Sequence, residues 1–144
     1  MDKSEQAIAT FKQGYNCSQS ILHAFSPEYG LDPVLALKIG SAFGGGIGRQ
    51  GGTCGAVTGA FMVIGLKYGM TFAEDRKSIE KTYEKVNEFT AEFKKRRGSV
   101  VCRDLLGCDI SDHESLQRAR QQELFKKLCP DYIKSAVEIL EELL

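Results

Sequence analysis

The sequence lacks the features that mark several classes of protein. It has no tryptophan and no net charge, because 19 basic and 19 acidic side chains cancel. A nucleic-acid partner is usually signalled by a basic excess, so none is expected. No apolar run approaches the length of about 18 residues that spans a bilayer, so no membrane insertion is predicted. The first residues are charged and amide-rich, unlike a signal peptide, which predicts a cytoplasmic location.

Strand signals are also scarce, whereas helix start and stop signals recur along the chain. Capping residues or capping boxes occur at seven places: Asp2–Glu5, Asn16, Asp32–Pro33, Thr53, Thr71–Glu74, Ser99 and Ser111–Glu114. Pro130 is predicted to open a last helix. A chain of 144 residues with 42% hydrophobic side chains has the size and composition of one globular domain. The sequence therefore predicts an all-α fold, a compact single-domain helical bundle over residues 1–144 with a glycine-rich loop.

That loop, Gly44–Gly52, holds six glycines in nine residues. It matches the pattern G-x-G-x-x-G literally, but a dinucleotide site needs a preceding strand and the residues here are helical. The loop leads instead into a helix N-terminus, where free N–H groups and Arg49 could hold an anion or the sulfur atoms of a cluster. The cofactor-binding candidates are Gly45, Gly46, Arg49 and Gly55.

The five cysteines are the strongest chemical signal. In a reducing compartment they are expected to be metal ligands, catalytic thiols or core residues rather than structural disulfides. Three lie at predicted helix N-termini: Cys17 after Asn16, Cys54 after Thr53 and Cys129 before Pro130. A helix N-terminus stabilises thiolate, the form that binds metal and attacks disulfides. Cys54, beside the glycine loop, is predicted to have the lowest thiol pKa.

The spacing of the cysteines adds less. There is no C-x-x-C pair, so a thioredoxin motif and a zinc ribbon are absent, and any site must be assembled from distant segments. Cys102 and Cys108 lie six residues apart and would not share a helix face, and Gly107 should end the helix between them. Cys108 is therefore predicted to be a spare thiol.

Several segments resemble a bacterial and archaeal family labelled C_GCAxxG_C_C and described as redox-active. They are Gly14–Gln19, Phe43–Gly46, Cys54–Ala60, Cys102–Gly107 and Cys129–Pro130. The resemblance implies that Cys17, Cys54, Cys102 and Cys129 are the four family cysteines and that Cys108 has no counterpart. The central box reads Cys-Gly-Ala-Val-Thr-Gly and departs slightly from the label, which makes Gly55 the loosest match. The genes of the family are said to lie near transporter genes.

The resemblance implies a redox site but leaves its chemistry open. The first interpretation is a four-thiolate centre, either an iron–sulfur cluster or another thiolate-bound metal, that transfers electrons to an unidentified redox partner. The second is a metal-free thiol–disulfide oxidoreductase, in which Cys54 attacks and another of the four resolves, with Cys54 and Cys17 as catalytic candidates. The third is a non-catalytic metal-binding or sensory module associated with a transporter.

Overall fold

A computed structural model describes all 144 residues. The chain forms eight α-helices and no β-strand. The helices are α1 Lys3–Lys12, α2 Cys17–Phe25, α3 Pro33–Gly40, α4 Gly55–Tyr68, α5 Arg76–Arg97, α6 Cys102–Leu106, α7 His113–Gln121 and α8 Leu124–Leu143. Two short 3-10 segments follow α2 and α3, at Ser26–Tyr29 and Ser41–Phe43. The predicted all-α architecture is confirmed, and Gly44–Gly52 forms the predicted loop ahead of α4.

The first three helices begin at the predicted caps. The Asp2 carboxylate accepts the Glu5 N–H at 2.8 Å, and the Glu5 carboxylate accepts the Asp2 N–H at 3.1 Å. Asn16 and Gln19 form the same reciprocal pair at 2.8 Å in each direction. Asp32 caps α3 ahead of Pro33. Each cap satisfies N–H groups that the first turn of a helix leaves without an intrahelical acceptor.

Two later helix starts differ from the prediction. The capping boxes at Thr71–Glu74 and Ser111–Glu114 are not the starts of α5 and α7. The caps are Asp75 and Asp112, whose carboxylates each accept the N–H three residues later. Asp75 is a stronger N-cap than Thr71, whereas Asp112 and Ser111 are of similar strength; in both cases the aspartate lies closer to the amphipathic segment.

The prediction that Pro130 opens the last helix is also wrong. The chain breaks instead at Glu123, which has a left-handed φ of 56°, and α8 then continues through Pro130. Proline fixes φ near the helical value, so a helix can pass through it when tertiary packing offsets the lost N–H bond. Cys129 therefore lies in the interior of α8 and not at a helix start.

The apolar α4 lies at the centre of the bundle and packs against α2, α5 and α8, while α1 covers α2 and α8. The largest fully buried core side chains include Ile21, Leu22, Phe25, Val57, Ile64, Phe89, Phe93, Ile133 and Leu140. Gly59 in α4 permits close packing on α2, because a Cβ there would lie 2.9 Å from the Ile21 Cβ. None of the eight helices combines the length and the apolar composition needed to cross a bilayer.

A cysteine-lined cavity as the candidate site

Four of the five cysteines line a single cavity of about 490 Å³. They are Cys17, Cys54, Cys102 and Cys129, and none of them is in a disulfide. Cys54 belongs to the main apolar core, whereas Cys102 and Cys129 belong to a smaller cluster beneath α6 and α7. The cavity thus lies between two packed apolar clusters. The structure brings together the four cysteines that the resemblance selected.

Different elements bring the four thiols to the cavity. Cys17 and Cys102 are the first residues of α2 and α6, and Cys54 is itself the N-cap of α4 rather than the residue after it. Cys129 comes from the interior of α8. Three cysteines do lie at helix starts, but Cys102 takes the place predicted for Cys129. The start of α2 is held further by the Asn16 amide, which donates to the carbonyls of Gly40 and Ser41 at 3.2 Å each.

A short antiparallel contact fixes Cys54 relative to Cys102. The Cys54 N–H donates to the Val100 carbonyl at 2.8 Å, and the Cys102 N–H donates to the Gly52 carbonyl at 2.6 Å. These bonds flank an isolated bridge between Thr53 and Val101. The two cysteines, 48 positions apart in sequence, are therefore held by backbone groups and not only by side-chain packing.

Glycines allow the backbone to approach these cysteines closely. A Cβ on Gly46 would lie 2.7 Å from the Cys102 Cβ and 2.6 Å from the Gly52 nitrogen. A Cβ on Gly55 would lie 3.1 Å from the Cys17 Cβ and 3.0 Å from the Ser18 nitrogen. Any larger side chain at Gly46 would displace the segment that carries Cys102. Gly46 and Gly55 thus shape the cavity wall, and Gly55 also packs α4 on α2.

The glycine loop contains an uninterrupted left-handed stretch. Residues 45–49 all have positive φ, between 57° and 69°, including the non-glycine residues Ile47 and Arg49. Left-handed conformation costs about 1–2 kcal/mol for each residue with a Cβ, and such strain concentrates at functional sites. Gly45, Gly46 and Arg49, predicted to bind a cofactor, all line the cavity.

Burial keeps two of the thiols protonated. Burial raises the pKa of Cys54 to about 11, although the backbone N–H groups of Ala56 and Val57 lower it in part. Burial, followed by the neighbouring Cys54 and Cys129, raises the pKa of Cys102 to about 12. The prediction that Cys54 has the lowest thiol pKa is therefore wrong. A helix start stabilises a thiolate less than burial at 5% exposure disfavours it.

Cys17 and Cys129 behave as a pair. The side-chain hydrogen bond from the Cys17 thiol lowers the pKa of Cys129, and the same bond, followed by burial, raises the pKa of Cys17 well above its ordinary value. Of the two thiols, Cys129 is the one whose ionisation its neighbour favours. Two neighbouring thiols are suited to thiol–disulfide exchange, in which the first attacks a disulfide and the second then attacks the resulting mixed disulfide.

Two further lining residues are not marked by any motif in the sequence. Tyr132 lies three residues after Cys129 on α8, so helical spacing places it on the same face. Its hydroxyl donates to the Leu105 carbonyl at 2.6 Å. Arg120 of α7 also lines the cavity, and nothing in its local sequence singles it out. Cys108 is partly buried outside the cavity.

The thiols are chemically suited to a soft metal ion or an iron–sulfur cluster, for which cysteine is the preferred ligand. Their positions are a separate question. No group of three or more histidine, cysteine, aspartate or glutamate side chains is arranged so that it could hold one metal ion. The donor set therefore fits a metal centre by its chemistry and not by its geometry.

Comparison with known proteins gives one match. A family model described as "Putative redox-active protein (C_GCAxxG_C_C)" matches residues 15–143. This range covers most of the chain and includes all four cavity cysteines. The match confirms the resemblance drawn from the cysteine segments. No curated protein and no solved structure matches the chain.

Proposed function

Since the chain belongs to the C_GCAxxG_C_C family of redox-active proteins, we propose that it exchanges thiols for disulfides through Cys17 and Cys129. The observation that carries this proposal is the pairing of these two thiols inside the four-cysteine cavity. Only one of them needs to ionise for the reaction to begin. Cys54 and Cys102 stay protonated through burial, so they are less suited to attack at neutral pH.

The reaction proceeds in two displacements. The Cys129 thiolate attacks one sulfur of a substrate disulfide, forms a mixed disulfide and releases the first substrate thiolate. Cys17 then loses its proton and attacks the Cys129 sulfur, which releases the second substrate thiolate. The protein ends with a Cys17–Cys129 disulfide, the substrate has gained two electrons as two thiols, and an external dithiol partner restores the reduced protein.

Trapping the intermediate tests these roles. Treatment of the reduced protein with a small disulfide, followed by peptide mapping without reductant, is expected to show a Cys17–Cys129 disulfide. The Cys17→Ser variant should accumulate a mixed disulfide on Cys129, because the serine hydroxyl can still donate to the thiolate but cannot resolve it. The Cys129→Ser variant should accumulate neither product.

Cys108→Ser is the matched control and should behave as the wild-type protein, because Cys108 lies outside the cavity. A wild-type disulfide that joins Cys54 to Cys102 would contradict the proposal. So would a Cys17→Ser mixed disulfide located on any residue other than Cys129.

A second candidate is a four-thiolate metal or iron–sulfur centre for electron transfer, supported by the presence of four thiols in one cavity. Cys17, Cys54, Cys102 and Cys129 would be the ligands, and the side chains would have to close in to reach bonding distance. The loop groups of Gly45, Gly46, Arg49 and Gly55 would then surround the centre. Metal and sulfide analysis of protein purified without oxygen tests this candidate.

The matched pair Cys102→Ser and Cys108→Ser separates a site from incidental binding. A metal centre predicts that Cys102→Ser loses the metal and Cys108→Ser keeps it. Equal metal content in both variants would remove the candidate. A redox partner, a sensory role and an association with a transporter stay predictions that rest on the resemblance alone.

A further inference from the structure

The cavity wall carries positive charge without any compensating carboxylate. Arg49 and Arg120 both line it, and its lining includes no aspartate, glutamate or lysine. Neither arginine takes part in an ion pair, and neither side chain donates a hydrogen bond within the protein. This contrasts with Arg96, which pairs with three glutamates. Two unpaired guanidinium groups therefore border a cavity that contains four thiols.

The loop beneath Arg49 adds further donors. The backbone N–H groups of Gly44, Gly45 and Gly46 reach no backbone or side-chain acceptor in the protein. All three glycines line the cavity, and Gly46 is buried. A buried N–H group almost always finds an acceptor, so the free donor of Gly46, with those of the half-buried Gly44 and Gly45 beside it, indicates a place for an external acceptor.

The strained loop also holds Arg49 in place. A Cβ on Gly45 would lie 2.9 Å from both the Cα and the Cγ of Arg49, so the loop folds this arginine directly over Gly45. Arg49 keeps a φ of 63° in this position, and its N–H donates to the Gly44 carbonyl at 3.0 Å. This left-handed conformation costs free energy, and the guanidinium of Arg49 has no partner within the protein. Arg49 is therefore suited to bind a ligand in the cavity.

We infer that the cavity binds small anionic disulfides and thiols, whose carboxylates are held by Arg49, Arg120 and the free N–H groups of the glycine loop. This inference rests on the proposed function for the sulfur chemistry and adds the substrate class. A cavity of about 490 Å³ suits a small molecule rather than a folded protein partner. Carboxylates are recognised well by arginine because the guanidinium offers two parallel N–H donors.

A series of disulfides that differ in charge tests the inference. The probes are dithiodiglycolate, which is a dianion, bis(2-hydroxyethyl) disulfide, which is neutral, and cystamine, which is a dication. Oxidation of the reduced wild-type protein is compared with that of Arg49→Gln/Arg120→Gln. The double variant should react about tenfold more slowly with dithiodiglycolate, because it loses charge-assisted hydrogen bonds to the substrate. Its rate with the neutral disulfide should change by less than about twofold.

Arg118→Gln is the matched control, because Arg118 lies on the same helix as Arg120 and outside the cavity. It should keep the wild-type rates with all three probes. An equal change in rate for the dianionic, neutral and cationic disulfides would overturn the inference, as would no change with dithiodiglycolate. The single variants Arg49→Gln and Arg120→Gln replace the double variant if it fails to fold.

A binding measurement separates this inference from the proposed function. The thioether 2,2′-thiodiacetate carries the same two carboxylates but has no disulfide to reduce. It should bind to the Cys17→Ser/Cys129→Ser variant in calorimetry, and Arg49→Gln/Arg120→Gln should abolish that binding. If the thioether binds but the wild-type protein forms no Cys17–Cys129 disulfide with a substrate disulfide, the proposed chemistry is wrong and the anion site stands. If the wild-type protein forms that disulfide but the thioether does not bind, only the anion site is wrong.

Discussion

At the scale of single residues, Cys129 owes its acidity to a neighbouring thiol and not to a helix dipole. It lies inside α8, beyond the first turn, whose N–H groups lack intrahelical acceptors. The Cys17 thiol supplies the stabilising hydrogen bond. The two residues are thus functionally unequal although both line the same cavity. In the proposed exchange, Cys129 is therefore the nucleophile and Cys17 the resolving thiol.

Cys17→Ala is therefore expected to slow the alkylation of Cys129 about tenfold at pH 7, because a hydrogen bond to the charged form is lost. Loss of the donor raises the pKa of Cys129, so less thiolate is present at neutral pH, and the rates converge well above both pKa values. Peptide-resolved mass spectrometry of iodoacetamide labelling across pH measures this. Cys17→Ser keeps a donor and should show a smaller effect. An unchanged Cys129 rate in Cys17→Ala would contradict the pairing.

The sequence predicted which cysteines line the cavity, but it did not predict their relative pKa values. The family segments selected the four that line the cavity, and the break at Gly107 correctly separated Cys108 from Cys102. The direction of the pKa shift of Cys54 could not be predicted, because the local sequence shows the helix start and the glycine loop but not the burial of the side chain. Burial depends on contacts between distant segments, and it outweighs the backbone N–H groups at the helix start.

At the scale of elements, the glycine loop contains a left-handed stretch. Glycine adopts this conformation at little cost, whereas Ile47 and Arg49 adopt it with conformational strain. The loop connects the 3-10 segment after α3 to the cap of α4, and Gly51 and Gly52 also accept the N–H groups of Arg103 and Cys102. A change in the loop is therefore transmitted to the start of α6. Different glycines in it have different roles, which a pair of substitutions can separate.

Gly46→Ala should destabilise the protein by about 3 kcal/mol or more, and Gly48→Ala by about 1 kcal/mol. Both substitutions incur the left-handed cost of about 1–2 kcal/mol, which is offset in part by the lower entropy of the unfolded chain. Only the new Cβ at position 46 overlaps the Gly52 backbone and Cys102, whereas the Cβ at position 48 would find its nearest neighbour at 3.9 Å. Urea unfolding of the two variants measures the difference. Equal losses would show that Gly46 does not support Cys102.

The helix starts show what local sequence can predict about elements. Asp2, Asn16 and Asp32 cap α1, α2 and α3 as predicted, because a cap depends on residues within one turn of it. The path of α8 through Pro130 could not be predicted in this way. Proline removes one N–H in every context, and only the packing of α8 on α1 and α5 decides whether the helix continues.

At the scale of the whole molecule, the proposed disulfide would join the start of α2 to the interior of α8. Cys17 and Cys129 are 112 positions apart, so the bond would close most of the chain into one loop. In the chain-entropy model a loop of about 100 residues stabilises the folded state by about 4.7 kcal/mol, because the unfolded chain loses freedom. In the reduced protein the two thiols already line one cavity.

The oxidised protein is therefore expected to be more stable than the reduced protein, by up to about 4–5 kcal/mol. Urea unfolding with and without a reductant measures this difference, and Cys17→Ser/Cys129→Ser should show the same midpoint under both conditions. An oxidised form less stable than the reduced form would contradict the prediction, as would a redox-dependent midpoint in the double variant. The same stabilisation makes the folded pair about 100 mV more reducing than its unfolded dithiol. A pair stabilised in its oxidised form gives up electrons readily, so this protein should act as a reductant of its disulfide substrates rather than as their oxidant.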